Sequence, residues 1–237
     1  TVLTYNIQQG SALNGDQRYR EQLELIRKID PDIIGLQESD TPRPSGGNVD
    51  VVRFFAEGLD YYSYYGPSVI SGTFGTAILS RFPIENPRSI FTYSTVDETG
   101  TAVAEIFAGS RRIAFFNNHP AGPPVTHHAH IDGMLDAARD YDHVIAVGDF
   151  NFRPDSPYYA KAAAVLTESW KVLHPDGAGP RNPDLDPDAA QGGLLHMDDR
   201  IDLIFFDGDL GVVDAWYLPP PASQTDHPAY WATLDLK

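Results

Sequence analysis

Short apolar segments of strand length recur along the whole chain, and stretches with helical periodicity separate several of them. The apolar segments span 2–7, 33–37, 75–80, 102–107, 113–117, 143–147, 202–206 and 231–236. Helical periodicity is found in 18–30, 49–59, 130–140 and 156–166. Strands and helices that are mixed in this way bury their apolar faces by packing as sheets covered by helices. The pattern therefore predicts an α/β or α+β fold, with residues 1–237 forming one domain.

Polar residues stand where these apolar segments end or begin. They are Asn6, Glu38, Asn118, His119, Asp149, Asn151, Asp202, Asp226 and His227. In "VIAVGDFNF", residues 144–152, a strand that continues to its end would point Asp149 and Asn151 to the same side, whereas a polar turn is the alternative interpretation. A sheet edge that gathers carboxylates, amides and imidazoles has the ligands of a hard metal ion such as Mg²⁺. Because the sequence has neither the Cys₂His₂ spacing nor the helical pair of histidines that bind zinc, zinc is the less favoured metal.

The charge balance argues against nucleic acid as the main partner. The sequence has 17 Lys and Arg residues against 33 Asp and Glu residues, which gives a formal net charge of −16. Proteins that hold a nucleic-acid backbone contact its phosphates through Lys and Arg. No apolar run is long enough to cross a bilayer. Since the chain does not begin with Met, we expect a trimmed or processed form of a longer protein, and its localisation stays open.

Seven motifs resemble, in the same order, those of the endonuclease/exonuclease/phosphatase superfamily. They are "TYNIQQG", "DIIGLQES", "GTAILSRFPI", "NNHP", "VGDFNFRPDS", "RIDLIFF" and "TDHPAYWATL". The superfamily includes DNase I-like nucleases, neutral sphingomyelinases and inositol-polyphosphate phosphatases, and the resemblance runs from residue 2 to residue 236. It implies a four-layer α/β sandwich in which two mixed β-sheets pack face to face with helices outside. It also implies a phosphoester hydrolase that uses Mg²⁺, with Mn²⁺ or Ca²⁺ as alternatives.

The resemblance assigns metal and substrate contacts to five residues. Glu38 matches the principal Mg²⁺ ligand of the superfamily, and Asn6 beside it is expected to bind metal or phosphate. Asp226 is expected to add a further metal contact. Asn118 and Asn151 are the remaining expected substrate-binding residues, with Asn151 holding a phosphate oxygen.

The resemblance also assigns the catalytic roles. His227 resembles the general base, and Asp202 the carboxylate that fixes its tautomer and supports its cationic form. Asp149 and Asn151 resemble the pair that orients the nucleophilic water. His119 matches the histidine that stabilises charge or protonates the leaving oxygen. The sequence leaves open whether Asp149 or His227 takes the proton of the water.

A narrower resemblance concerns the substrate. The stretches "GLQESDTPRPSGGNVDVVRFFAEGL" and "YYSYYGPSVISGTFGTAILSRFPI" resemble the C-terminal domain of Cwh43/PGAP2-interacting proteins. Those membrane proteins act in lipid remodelling of glycosylphosphatidylinositol (GPI) anchors. The resemblance implies a lipid-linked or inositol-containing phosphodiester as substrate, and it makes a membrane surface a candidate partner.

Several alternatives stay open at this point. A DNase I-like nuclease is the first alternative function, and a non-catalytic module that binds an inositol phosphate or a protein is the second. Three histidines outside the motifs, His127, His128 and His130, form either a metal cluster or, as we favour, the surface at the start of a helix. Asp202 has an alternative use as the partner of Arg200. Arg43 is a candidate phosphate contact.

Overall fold

The computed structural model describes residues 1–12, 14–40, 47–67, 74–93 and 98–236, and within them most strands belong to two six-stranded sheets. The strands of the first sheet are β1 (Val2–Asn6), β2 (Ile33–Asp40), β3 (Tyr62–Pro67), β4 (Phe74–Ser80), β13 (Leu210–Leu218) and β14 (Ala229–Leu236). The strands of the second sheet are β5 (Ile84–Tyr93), β6 (Glu98–Ala108), β7 (Arg111–Asn118), β8 (Val144–Asp149), β9 (Thr167–Glu168) and β12 (Asp202–Asp207). Two short strands, β10 (Ala178–Pro180) and β11 (Leu194–His196), pair separately.

Both large sheets are mixed. The spatial order is β13–β14–β1–β2–β4–β3 in the first sheet and β5–β6–β7–β8–β12–β9 in the second. The pairs β1–β2 and β7–β8 are parallel, and the other neighbouring strands are antiparallel. Each sheet therefore has a central parallel pair whose carboxyl ends meet at one edge.

Helices cover the outer face of each sheet. They are α1 (Tyr19–Ile29) and α2 (Val51–Leu59) on the first sheet, and α3 (Pro124–Ala138) and α4 (Pro157–Ala163) on the second. The short helix α5 (Ser169–Leu173) instead places Trp170 in the core between the two sheets. Ile26 of α1 and Phe55 of α2 are fully buried among residues of the first sheet, and Ile131 of α3 is fully buried on the second. Within the described residues, no helix combines the length and the apolar composition that crossing a bilayer requires.

The two sheets pack against each other through their inner faces. Asn117 of β7 reaches across this interface, where its Nδ2 donates to the carbonyl oxygens of Leu36 and Ala77, each at 2.8 Å. At Gly35 of β2 a Cβ atom would come within 2.4 Å of the side chain of Val147, so only glycine permits the observed approach. The order of layers is helices, sheet, sheet and helices, and the predicted four-layer sandwich is confirmed.

Helix α3 corrects the expected position of one predicted element. Its observed first residue is Pro124, whereas the sequence pattern placed the helix over 130–140. Proline suits the first turn of a helix, but the buried positions of the first two turns include the polar residues Thr126 and His130, which hide the apolar period. His130 is therefore buried within the helix, and the expected exposed surface holds only for His128. Arg43 lies outside the described residues.

Candidate active site

Strands from both sheets bring polar side chains to one edge of the sandwich. β1, β2 and β8 end there, β12 begins there, His119 follows β7 and His227 precedes β14. Asp149 and Asp202 are directly opposite each other in the antiparallel register of β8 and β12. The structure thus brings together most of the predicted site residues, namely Asn6, Glu38, His119, Asp149, Asn151, Asp202 and His227.

Asn6 joins two carboxylates across the interface between the sheets. Its Nδ2 donates to Glu38 Oε1 at 3.1 Å and to Asp149 Oδ2 at 3.0 Å. Its Oδ1 accepts from the backbone N–H of Gln8 at 3.0 Å, which fixes the orientation of the amide. Because Asn6 is fully buried, this side chain holds the two carboxylates close together in a medium of low polarity.

Glu38 departs from regular strand geometry. The register between β2 and β4 shifts between Leu36 and Ser39, and Glu38 has a φ of 47°. A β-bulge changes the alternation of side chains, and a left-handed conformation at a residue other than glycine costs about 1 kcal/mol or more. This irregularity allows the carboxylate of Glu38 to meet Asn6 at the edge of the sheet.

Asp149 is the central residue of the group. Its Oδ2 accepts from Asn6 and lies 3.6 Å from the Nε2 atoms of both His119 and His227. Its Oδ1 accepts from the backbone N–H of Asn151 at 3.0 Å. Asp149 is almost fully buried, so each of these contacts acts with little competition from water.

Asn151 reaches the same region through a turn. β8 ends at Asp149, and Asn151 has a φ of 51° and donates from Nδ2 to the carbonyl oxygen of Pro120 at 2.9 Å. The expectation that Asp149 and Asn151 share one face of a continuing strand is therefore wrong. Asp149 accepts the N–H two residues ahead, an arrangement typical of aspartate in turns, and this ends the strand.

The buried Asp202 and the partly buried His227 form a pair beside Asp149. His227 Nδ1 lies 3.1 Å from Asp202 Oδ2, and because a carboxylate only accepts, Nδ1 carries a hydrogen and Nε2 is directed towards Asp149. Arg200 does not contact Asp202 as the alternative interpretation expected: it pairs with Glu168 at 2.7 Å.

The environment changes the protonation of this pair. Burial lowers the pKa of His227, but the hydrogen bond with Asp202 and the negative charges of Asp202, Asp149 and Asp226 outweigh burial and raise the pKa to about 9. Burial raises the pKa of Asp202 to about 7, against the hydrogen bond from His227. The surrounding carboxylates therefore favour the cationic form of His227, which is the form that this imidazole takes once it has accepted a proton.

The group fits a divalent cation. Ligand atoms of Asp149, Asp202 and His227 lie within 4.8 Å of one another. Glu38 is a third carboxylate nearby, because Asn6 forms hydrogen bonds with both Glu38 and Asp149. The Oδ1 atom of Asp202 is buried and has no hydrogen-bond partner. Unpartnered buried oxygen and excess negative charge are the properties that binding of Mg²⁺, Mn²⁺ or Ca²⁺ would satisfy.

Two predicted residues lie apart from this group. The Nδ2 atom of Asn118 donates to the carbonyl oxygen of Val147 at 3.1 Å, and its Oδ1 accepts from Thr101 at 3.0 Å, on the side of the sheet covered by α3. Its amide is thus fully engaged away from the site, against the expected substrate contact. Asp226 is exposed next to His227, with Oδ1 accepting from Thr225 at 3.1 Å, and its role as a metal ligand stays a prediction.

Two residues that support the pair of Asp202 and His227 were not indicated by any pattern in the sequence. The Tyr217 hydroxyl donates to the carbonyl oxygen of Asp202, and Ser223 Oγ donates to that of His227 at 2.6 Å. Tyr217 lies on β13, a strand that the sequence pattern did not predict. Such contacts depend on which strands become neighbours, so a local sequence pattern gives no indication of them.

Comparisons with known proteins agree with the fold. The Endonuclease/Exonuclease/phosphatase family matches residues 3–227. An endonuclease/exonuclease/phosphatase from Beutenbergia cavernae superposes with a TM-score of 0.77 at 20% sequence identity, covering 99% of this chain and 71% of that one. The mannosyl-6-phosphatase Bt3783 of Bacteroides thetaiotaomicron superposes with a TM-score of 0.70 at 18% identity, covering 99% and 98% of the two chains.

A sequence relative adds a partial match. Over 63 residues the chain is 41% identical to the protein cwh43 of Schizosaccharomyces pombe, which corresponds to 27% of this chain and only 6% of that much longer protein. Members of the family that matches residues 3–227 are generally phosphoester hydrolases and typically depend on divalent metal ions. On the length of that match, and with the sandwich fold in common, this chain belongs to the endonuclease/exonuclease/phosphatase family.

Proposed function

We propose that this chain is a divalent-metal-dependent phosphodiesterase that hydrolyses a lipid or glycolipid head group of the inositol or GPI type. The observation that carries the proposal is the position of Asp149 Oδ2, 3.6 Å from the Nε2 atoms of both His119 and His227. Phosphodiester hydrolysis needs an oriented water, a group that accepts its proton and a group that protonates the leaving oxygen. A buried carboxylate between two imidazoles supports all three requirements.

On the attacking side, Asp149 and His227 orient the water. Asn6 fixes the carboxylate of Asp149, and Asp202 holds His227 through Nδ1, so the remaining polar atoms of both groups are directed to the same place. Either Asp149 or Nε2 of His227 accepts the proton that the water loses as its oxygen bonds to phosphorus. Asp202 stabilises the imidazolium in the second case.

On the leaving side, His119 provides the acid. Its ring is 8% exposed and contacts the ring of Phe74, with the centroids 6.2 Å apart, so the imidazole is held in one orientation at the rim of the site. As an imidazolium it donates a proton from Nε2 to the leaving oxygen. We propose that Glu38, together with Asp149 and Asp202, would hold the metal, and that Asn6 supports this group through its amide; when bound, the ion would neutralise negative charge on the phosphate oxygens. The metal contacts expected of Asn6 and Asp226 stay predictions.

The proposed substrate class rests on other observations. The partial match to cwh43 agrees with the narrower resemblance noted in the sequence, and it supports a lipid-linked phosphodiester. The net charge of −16 disfavours a polyanionic substrate such as DNA, because such a substrate would be repelled unless a local basic groove compensates. A lipid head group presents a single phosphodiester, which the site can hold without an extended basic surface.

The test is hydrolysis of a small substrate panel in Mg²⁺ and in EDTA. The panel contains bis-p-nitrophenyl phosphate, mannose 6-phosphate, phosphatidylinositol, sphingomyelin and plasmid DNA, and H227A serves as the blank. We expect metal-dependent cleavage of the inositol lipid that H227A lacks, with the DNA intact. Nicking of the plasmid would favour the nuclease, and release of phosphate from mannose 6-phosphate alone would make the chain a phosphomonoesterase.

A further inference from the structure

A buried polar cluster lies beneath the site, between the second sheet and α3. It consists of Thr99 and Thr101 of β6, Asn118 of β7 and His130 of α3, each no more than 2% exposed. Polar side chains buried so completely destabilise the fold unless they pair with one another. No proposed catalytic step uses this cluster, although His119 directly follows Asn118 in the chain.

The hydrogen bonds of the cluster define one arrangement of protons. Because Nδ2 of Asn118 donates to the carbonyl oxygen of Val147, its Oδ1 is the atom that faces His130 and Thr101. His130 Nε2 lies 3.1 Å from this oxygen and 2.8 Å from the Thr101 hydroxyl, so Nε2 carries the hydrogen. Nδ1 then accepts from the Thr99 hydroxyl at 2.9 Å. Every polar atom of the imidazole is satisfied by a neutral ring of one tautomer.

Asn118 connects this cluster to the catalytic edge. It is the register partner of Gly148 in the parallel pair β7–β8, and a Cβ atom at Gly148 would lie only 2.1 Å from the carbonyl oxygen of Asn118. The residues that follow Asn118 and Gly148 in the chain are His119 and Asp149, whose Nε2 and Oδ2 atoms are 3.6 Å apart. The position of Asn118 therefore sets the separation of these two side chains.

We propose that His130, together with Thr101, is a positioning residue for His119: by fixing the amide of Asn118 it holds the end of β7 against β8, and so places the His119 imidazole relative to Asp149. The proposal rests on the proposed function where it concerns turnover. The geometric part, the orientation of the His119 ring, can be measured without any substrate.

The variants are H130F, which keeps a ring but removes its hydrogen bonds, and T101V, which replaces a hydroxyl by a methyl group of similar size. T126V is the matched control, because the Thr126 hydroxyl is equally buried on α3 but has no hydrogen-bond partner. In protein labelled with ¹⁵N-histidine, we expect H130F and T101V to shift the ring resonances of His119 and T126V to leave them unchanged. Unchanged His119 resonances in folded T101V would overturn the proposal.

Turnover is tested by a double-mutant cycle with H119A. T101V is expected to lower kcat about tenfold with little change in KM, since small misplacements of a catalytic group have effects of this order. In the H119A background the same substitution should have no further effect, because the group that it positions is gone. An equal loss in both backgrounds would contradict a role through His119. If no panel substrate is turned over, the proposed function fails, and the ring resonances alone decide on the positioning role.

Discussion

Asp149 contacts Asn6, His119 and His227 at the proposed site, and its negative charge can be removed by replacing one carboxylate oxygen with nitrogen. Replacing its carboxylate by an amide keeps the shape of the side chain but removes the negative charge between His119 and His227. We expect D149N to lower kcat by roughly three orders of magnitude, because both proton transfer and the orientation of the water depend on this charge. The measurement is kcat on the best substrate of the panel, with circular dichroism to confirm the fold.

The matched control for this prediction is D155N. Asp155 lies six residues further along the chain and is exposed, so the same loss of one charge occurs away from the site. D155N should keep the wild-type kcat. If D149N also turned over at the wild-type rate, Asp149 would have no catalytic part, whatever its position in the structure.

At the scale of elements, the buried His130 of α3 forms hydrogen bonds with Thr99 and Thr101 of the second sheet. Burial lowers the pKa of His130 to about 3, from an ordinary value of 6.5. As the pH falls below 6.5, the unfolded chain binds a proton at this histidine while the folded protein does not, so the free energy of unfolding decreases down to about pH 3. Between pH 7.5 and pH 5 this one group is expected to remove about 2 kcal/mol of stability.

The measurement is urea unfolding of the wild type, H130Q and H128Q at both pH values. H130Q should lose about 2 kcal/mol less than the wild type between pH 7.5 and pH 5. H128Q removes an exposed histidine of the same helix and should follow the wild type. Equal losses in the wild type and H130Q would show that His130 is not buried as a neutral ring.

Two glycines give a second prediction at this scale. Gly148 of β8 has no room for a Cβ atom beside the carbonyl oxygen of Asn118, so G148A must push β7 and β8 apart where the site is built. We expect G148A to lose about 3 kcal/mol or more of stability, and its activity with it. In contrast, a Cβ at Gly133 of α3 meets its nearest atom at an ordinary 3.7 Å, and G133A should stabilise the protein by about 1 kcal/mol. Urea denaturation of both variants checks the opposite signs.

The sequence predicted the elements whose burial follows one regular period. Residues 18–30 were expected to form a helix that the structure places at Tyr19–Ile29, because Leu23 and Ile26 repeat on one face. β5 and β13 were not predicted, since β5 is an edge strand with a register shift between Glu85 and Arg88, and β13 has a similar shift. Shifts of this kind break the alternation by which a strand is recognised.

The site was predictable as a set of strand ends, but its geometry was not. The resemblance to a family named Asn6, Glu38 and Asp149 correctly as residues that come together, which no local pattern could show because 143 positions separate Asn6 from Asp149. Asn118 was misplaced because the face of β7 that its side chain occupies depends on α3. The left-handed conformation of Glu38 likewise follows from a bulge between two strands.

At the scale of the whole molecule, the excess of negative charge and the proposed metal site give linked expectations. A net charge of −16 destabilises the compact state by self-repulsion, and three of the carboxylates meet at one edge of the sandwich. A divalent cation bound there would stabilise the folded chain, because the unfolded chain does not hold these ligands together. General screening of surface charge by salt also stabilises such a protein, so the two effects must be separated.

We therefore expect Mg²⁺ to raise the melting temperature more than NaCl of equal ionic strength does. At a concentration 100 times Kd, a single site adds about 2.7 kcal/mol, which corresponds to about 5–10 °C for a chain of this size. E38Q should lose most of this specific increase, whereas D184N, which removes an exposed carboxylate from the loop between β10 and β11, should keep it. Scanning calorimetry of the three proteins in both salts measures the difference. If NaCl matched Mg²⁺ in every protein, the cation would act only by screening, and the edge of the sandwich would not be a metal site.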